Sequence, residues 1–124
     1  MNLKEYFEST KGTGVFSTSG KDGTVDAAIY SRPHIMDDGT AAFIMRDRLS
    51  HQNISENPHA VFLFKEEESG HSGKRLYLTM INEEKNSPLV DELRRKAFKK
   101  DKYPDEDVFL VYFSIDKERP LVGD

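Results

Sequence analysis

Cysteine and tryptophan are both absent from this chain of 124 residues. Without thiols there are no disulfides, thiolate-bound metals or cysteine nucleophiles, and the redox compartment is left open. Long apolar runs are missing too: none approaches the ~18 residues of a membrane helix. The opening Met1-Asn2-Leu3-Lys4-Glu5-Tyr6-Phe7 is too polar for a secretory leader. The expectation is a single cytoplasmic domain over residues 1–124, with no membrane partner. Positive charge is also in deficit, with 18 Lys and Arg against 22 Asp and Glu, a net charge of −4. That argues against nucleic acid as a partner, which needs a basic face. Any bound anion must be held by a local concentration of cations. The four histidines, His34, His51, His59 and His71, show no metal-ligand spacing, so no metal site is expected. Nor is there a glycine-rich phosphate loop or a nucleophile elbow, so no catalytic side chain is singled out. The acidic runs Glu66-Glu67-Glu68 and Glu83-Glu84 read as solvated faces.

What is present is a set of short apolar runs. Hydrophobic residues reach only 36%, but eight Phe and five Tyr supply bulk for one core. Asn2 can cap a first helix, with Glu5 completing a capping-box-like pair and Leu3, Tyr6 and Phe7 on one face; Gly12 and Gly14 end it. Strands are expected at 14–19, 25–36, 40–45, 60–64, 75–81 and 108–115, with turns at Gly20-Lys21-Asp22-Gly23 and Asp37-Asp38-Gly39. Pro33 confines part of the second strand to an edge or bulge. A short, mostly exposed helix is expected between Arg46 and Pro58, and Ser87-Pro88 opens another that Tyr103-Pro104 stops. Six strands joined largely by tight turns favour an antiparallel barrel. Residues 41–45, 60–64 and 108–113 are apolar at every position, so both faces of those strands need cover. A homodimer would supply it; the alternative is that the amphipathic helices cover the outer faces in a monomer.

Two segments carry candidate chemistry. In Arg46-Asp47-Arg48-Leu49-Ser50-His51-Gln52-Asn53, two guanidinium groups precede a helix start, with Ser50 as its cap. Helix amides and arginine both suit phosphate, and His51 and Asn53 could add donors from the first turn. The bland reading has Arg46 and Arg48 solvated around Asp47. In Ser31-Arg32-Pro33-His34 a charged residue interrupts an apolar strand, either aimed at a site or lying on an edge in solvent.

The ordered set Ser31-Arg32-Pro33, Asp38-Gly39, a strand, Arg46–Ser50, Ile54, Asn57-Pro58 and Val61-Phe62-Leu63-Phe64 resembles the pyridoxamine 5'-phosphate oxidase-like flavin-binding split-barrel family. The resemblance spans nearly the whole chain, with its motifs in residues 31–64. It implies a mainly β fold with short helices, a six-stranded antiparallel split barrel, and FMN at the interface of a homodimer. By the same resemblance Ser31, Arg32 and Pro33 lie along the flavin. Met45, Arg46, Arg48, Leu49, Ser50 and Asn53 match the phosphate and ribityl region. The family's usual phosphate Lys falls on Ser50 and its Ser near Arg48, so cation and hydroxyl have exchanged places. The C-terminal extension that the vitamin B6 oxidases use for substrate is not expected here. The expected function is thus an FMN-dependent oxidoreductase or electron carrier with a small-molecule or protein redox partner. A binding or sensor module for haem, through His34 or His51, or for a deazaflavin is the alternative, and a flavinless dimeric scaffold a third.

Overall fold

A computed structural model describes residues 1–68, 70–94 and 105–123. The elements run α1 (Leu3–Ser9), β1 (Gly12–Ser19), β2 (Val25–Tyr30), β3 (His34–Ile35), β4 (Ala41–Arg46), α2 (Leu49–Glu56), β5 (His59–Glu66), β6 (Gly73–Lys85), α3 (Leu89–Leu93) and β7 (Val108–Pro120). All seven strands form one sheet in the order β2-β1-β5-β6-β7-β4-β3, and every pairing is antiparallel. The strand expected over 25–36 is therefore two strands, and the sheet has seven members, not six. Ser31-Arg32-Pro33 makes the break, because proline can give no ladder hydrogen bond.

That break shapes the molecule. The two edges of the sheet, β2 and β3, are consecutive in the chain. Four residue steps from Tyr30 to His34 reach at most about 14 Å, so the sheet must curl until its edges nearly meet. The result is a split barrel, closed by chain and not by hydrogen bonds. Register shifts at Tyr77/Leu78 and Met80/Asn82 in the β6–β7 ladder mark bulges, which increase local twist and help the curl.

Phenylalanine fills the interior. Phe7, Phe16, Phe43, Phe62, Phe64 and Phe113 are all fully buried. Phe43 meets Phe16, Phe62 and Phe113 edge-on, with ring centres 4.9, 5.2 and 5.6 Å apart. This geometry sets the positive ring edge against the negative face. Gly12 and Gly14 belong to β1 and do not end α1, whose closing position is Thr10. At Gly14 a Cβ would lie 2.4 Å from the Phe62 ring and 2.6 Å from the Tyr30 carbonyl, so packing requires glycine there. The turns at Gly23 (φ 86°) and Gly39 (φ 88°) use the left-handed region that glycine enters without strain.

Helix α1 starts as expected: Asn2 Oδ1 accepts from Glu5 N at 2.9 Å, and Phe7 is buried. Helix α3 has Pro88 at its cap position, one residue later than expected, while the Ser87 hydroxyl accepts from Leu89 N at 3.2 Å. Helix α3 ends at Leu93, with Arg94 as its closing residue, well before the stop expected at Tyr103-Pro104, and 95–104 lie outside the described residues. Leu89, Val90 and Leu93 join Ala42, Ile44, Val108, Leu110 and Tyr112 in a second apolar cluster. On the outer face of β4 and β7, then, a helix of the same chain provides the cover for which a partner was invoked. No helix among the described residues is long and apolar enough to cross a membrane.

Candidate functional site

The split between the barrel edges opens into a cleft of about 480 Å³. Its walls are β2 (Asp26, Ala28, Tyr30), the break (Ser31, Arg32), β4 (Ile44, Arg46) and the start of α2 (Leu49, Ser50), with Arg48, His34 and Arg94 added. Four of the chain's seven arginines thus converge on one cleft against a single carboxylate, Asp26, among the described lining residues. In a chain of net charge −4 this is a strong local reversal of sign, of the kind that gathers anions.

Each arginine reaches the cleft by a different route. Arg46 ends β4, and its Nη1 donates to the Glu106 carbonyl at 3.2 Å. Arg48 occupies the cap position of α2 with its backbone extended, and its Nη2 lies 2.6 Å from Glu106 Oε1. Glu106 therefore holds both guanidinium groups beside the helix start. Arg32 donates through Nη1 to the carbonyls of Phe7 and Thr10, at 2.8 and 2.7 Å. Those oxygens lie at the end of α1, where carbonyls lack partners within the helix. Arg32 lines the cleft, but one of its nitrogens is committed to joining α1 to the barrel. Arg94 follows α3, 46 positions beyond Arg48, and no local pattern marks it.

The cap of α2 differs from expectation. Ser50 is not the cap; it lies in the first turn, buried at 4% exposure. Arg48 supplies no side-chain acceptor to the first amides, and the first turn contains no acidic residue. Helix starts favour Ser, Thr, Asp or Asn because those side chains accept from these amides. Here an uncapped start faces a cluster of arginines, and both accept anions. Tyr30 stands beside it: burial pushes its phenol up, offset in part by a hydrogen bond with the Ser50 hydroxyl.

Six of the ten residues expected at the site, Ser31, Arg32, Arg46, Arg48, Leu49 and Ser50, line this cleft together. Pro33 is buried, and Met45 belongs to the barrel core. Asn53 is buried, its Nδ2 donating to Thr18 Oγ1 at 3.0 Å. His51 is also buried, with Nδ1 3.1 Å from Asp47 Oδ1 and Nε2 2.7 Å from Glu83 Oε1. Neither of the last two side chains points into the cleft; they anchor α2 to the sheet. The helix is accordingly half-buried rather than mostly exposed, since four of its eight residues pack inward. Three of the supposedly solvated acids are also engaged: Glu83 with His51, Glu84 as acceptor for the Tyr112 hydroxyl at 2.8 Å, and Glu66 as acceptor for the Tyr6 hydroxyl at 2.7 Å. Tyr30 and Arg94 were missed, because only the curl of the sheet brings them to the cleft.

No protein-family profile matches the chain, and no curated protein matches it. Solved structures do. Over 98% of its length the chain is similar to the crystal structure of an FMN-binding protein from Syntrophomonas wolfei subsp. wolfei. The TM-score is 0.73 at 19% identity, covering 84% of that chain. An F420 reductase is matched over 96% of this chain and 98% of its own, with TM-score 0.71 and 12% identity. A candidate pyridoxamine 5'-phosphate oxidase from Lactobacillus delbrueckii is matched over 96% and 93%, with TM-score 0.65 and 13% identity. At such identities the likeness is one of fold. The chain has the fold of the pyridoxamine 5'-phosphate oxidase-like, flavin-binding split barrels.

Proposed function

We propose that this protein binds FMN in the arginine cleft and serves as an FMN-dependent oxidoreductase or electron carrier. The observation that carries the reading is the meeting of Arg46, Arg48 and the uncapped start of α2 at one end of the cleft. A phosphate there accepts charge-assisted hydrogen bonds from guanidinium groups and helix amides, the strong class of such contacts. The volume of the cleft suits a small organic ligand. Ser31 and Arg32 then border the rest of the cofactor, with Tyr30, Ile44 and Leu49 as apolar wall. Bound FMN would supply the redox chemistry, and the chain's own residues would bind, orient and shield it.

The protein would act as a homodimer. Val25 and Ile29 on β2 are 79% and 71% exposed. Ile29 pairs across β1 with Val15, which pairs in turn with Leu63. No element among the described residues covers this apolar face as α3 covers that of β4 and β7. Ile29 also lines the cleft, so a second copy seated there would close the site while burying the face.

The test is the visible spectrum of the purified protein, followed by identification of the chromophore released on denaturation, with light scattering for the oligomer. Flavin absorbance and released FMN support the reading; a colourless protein that fails to take up added FMN ends it. The likeness to an F420 reductase favours a deazaflavin as the second reading, and the released chromophore separates the two.

A further inference from the structure

His51 touches no part of the cleft, yet it holds the segment that carries two of the cleft's arginines. Its ring stacks on Phe109 of β7, with centres 4.0 Å apart and planes 19° from parallel. One ring nitrogen meets Asp47, in the link between β4 and α2, and the other meets Glu83 on β6. Asp47 lies between Arg46 and Arg48 in the chain, so whatever fixes Asp47 fixes the backbone from which both guanidinium groups project. Ionised carboxylates only accept hydrogen bonds, and a neutral imidazole has a single N–H. A neutral His51 can therefore donate to Asp47 or to Glu83; only the imidazolium donates to both.

We propose that His51 is a positioning residue for the anion cleft, whose second proton completes an Asp47–His51–Glu83 bridge and so orders the Arg46–Arg48 segment. The phosphate in this inference rests on the FMN reading, whereas the bridge itself does not. Other charged groups stand on the elements around it. Arg46 and Arg48 are tied to Glu106. Towards β6 and β7, Lys85 pairs with Asp107 at 3.3 Å, and Glu84 is bonded to Tyr112. On the side of α2 facing β1 and β2 stand Lys21, Asp22, Asp26 and Glu56. These groups are common to the wild type and to a His51 variant, so the comparison of the two isolates the bridge.

The first experiment needs no ligand. Backbone amide resonances of Asp47 and Arg48 are followed in the wild type between about pH 5 and 8, the range in which histidines change charge. They should move with the same midpoint as the His51 ring proton, and that movement should vanish in His51→Gln. The second measures the FMN dissociation constant by quenching of flavin fluorescence over the same range. Because Asp47 is exposed, the wild type should gain about twofold to fivefold in affinity relative to His51→Gln as the pH falls. Asp47→Asn should abolish the same gain. Titration of the FMN phosphate itself is shared by all variants and cancels. If His51→Gln fails to fold, Asp47→Asn and Glu83→Gln, altered at accessible acceptors, carry the same comparison. Amides that ignore His51, or identical pH slopes in wild type and variants, overturn the inference. If the amides follow His51 but FMN binds at no pH, the flavin reading fails and the bridge stands.

Discussion

Helices α1 and α2 begin in opposite ways within the same small barrel. At α1 the Asn2 side chain accepts from Glu5 N, Asn2 Nδ2 donates to Glu5 Oε1, and an acid sits in the first turn. At α2 an arginine occupies the cap position, its side chain makes no cap hydrogen bond, and the first turn has no acid. Intrinsic helix stability favours the first arrangement by roughly 1 kcal/mol. A chain that folds an effective cap at one helix and omits it at the other leaves donors available to something else. Under the proposed function, an anion held by the cations gathered at α2 would supply what the cap does not. The local sacrifice of stability and the proposed function are thus one feature, as is common where local rules are broken at a site.

Breaking the α2 arrangement should have the largest effect. Arg46→Ala/Arg48→Ala removes two charge-assisted donors, each worth about 1.5–3 kcal/mol. FMN affinity should fall about 100-fold or more in a fluorescence titration. A dissociation constant unchanged by the double substitution would mean that the arginines are only solvated charges. Next comes Arg48→Ser, which places a good cap where an arginine now stands. Affinity for FMN should drop about tenfold as one guanidinium is lost. Urea denaturation of the unliganded protein should show unchanged or higher stability, by up to ~1 kcal/mol. If both quantities fall together, the uncapped start was not reserved for a ligand.

The counterpart at α1 is Asn2→Ala, which should cost about 1 kcal/mol in urea denaturation and leave FMN affinity untouched. Loss of binding in that variant would show that the two helix starts are coupled, through Arg32 at the end of α1. The smallest effect concerns turns capped in the same local manner. Hydrogen bonds from the backbone and hydroxyl of Thr24 lower Asp22 below the ordinary aspartate value, and those from the hydroxyl and backbone of Thr40 lower Asp38 likewise. Since folding lowers these values, their contribution is complete above about pH 4 and is lost as the pH falls through the folded values. Asp22→Asn/Asp38→Asn should therefore flatten the acid limb of a stability profile, with little change near neutrality. An unchanged acid limb would assign that slope to other carboxylates.

Local rules made much of this readable. The cap at Asn2, the turns at Gly23 and Gly39 and the apolar strands follow from near-neighbour chemistry, and each appears where those rules put it. Failure began where a side chain's role depends on distant partners. Ser50 has the right chemistry for a cap, but burial beside Tyr30 places it inside the helix. His51 and Asn53 have donors suited to an anion, yet Phe109, Glu83 and Thr18 claim them across long stretches of chain. Pro33 signals an irregular strand, though not that the strand ends and leaves both sheet edges on either side of it.

By itself the sequence determined the class of fold and singled out the segment from Arg46 to Ser50 as a candidate anion site. Both rest on hydrophobic period, turn residues and charge within a few positions of one another. The tertiary structure alone decided that Arg32, Arg46, Arg48 and Arg94 share one cleft, that among the described residues α3 covers the outer face of β4 and β7 but not that of β2, and that His51 faces two acids. Those outcomes depend on how the sheet curls across its break, and so on contacts between residues tens of positions apart, which no local pattern encodes.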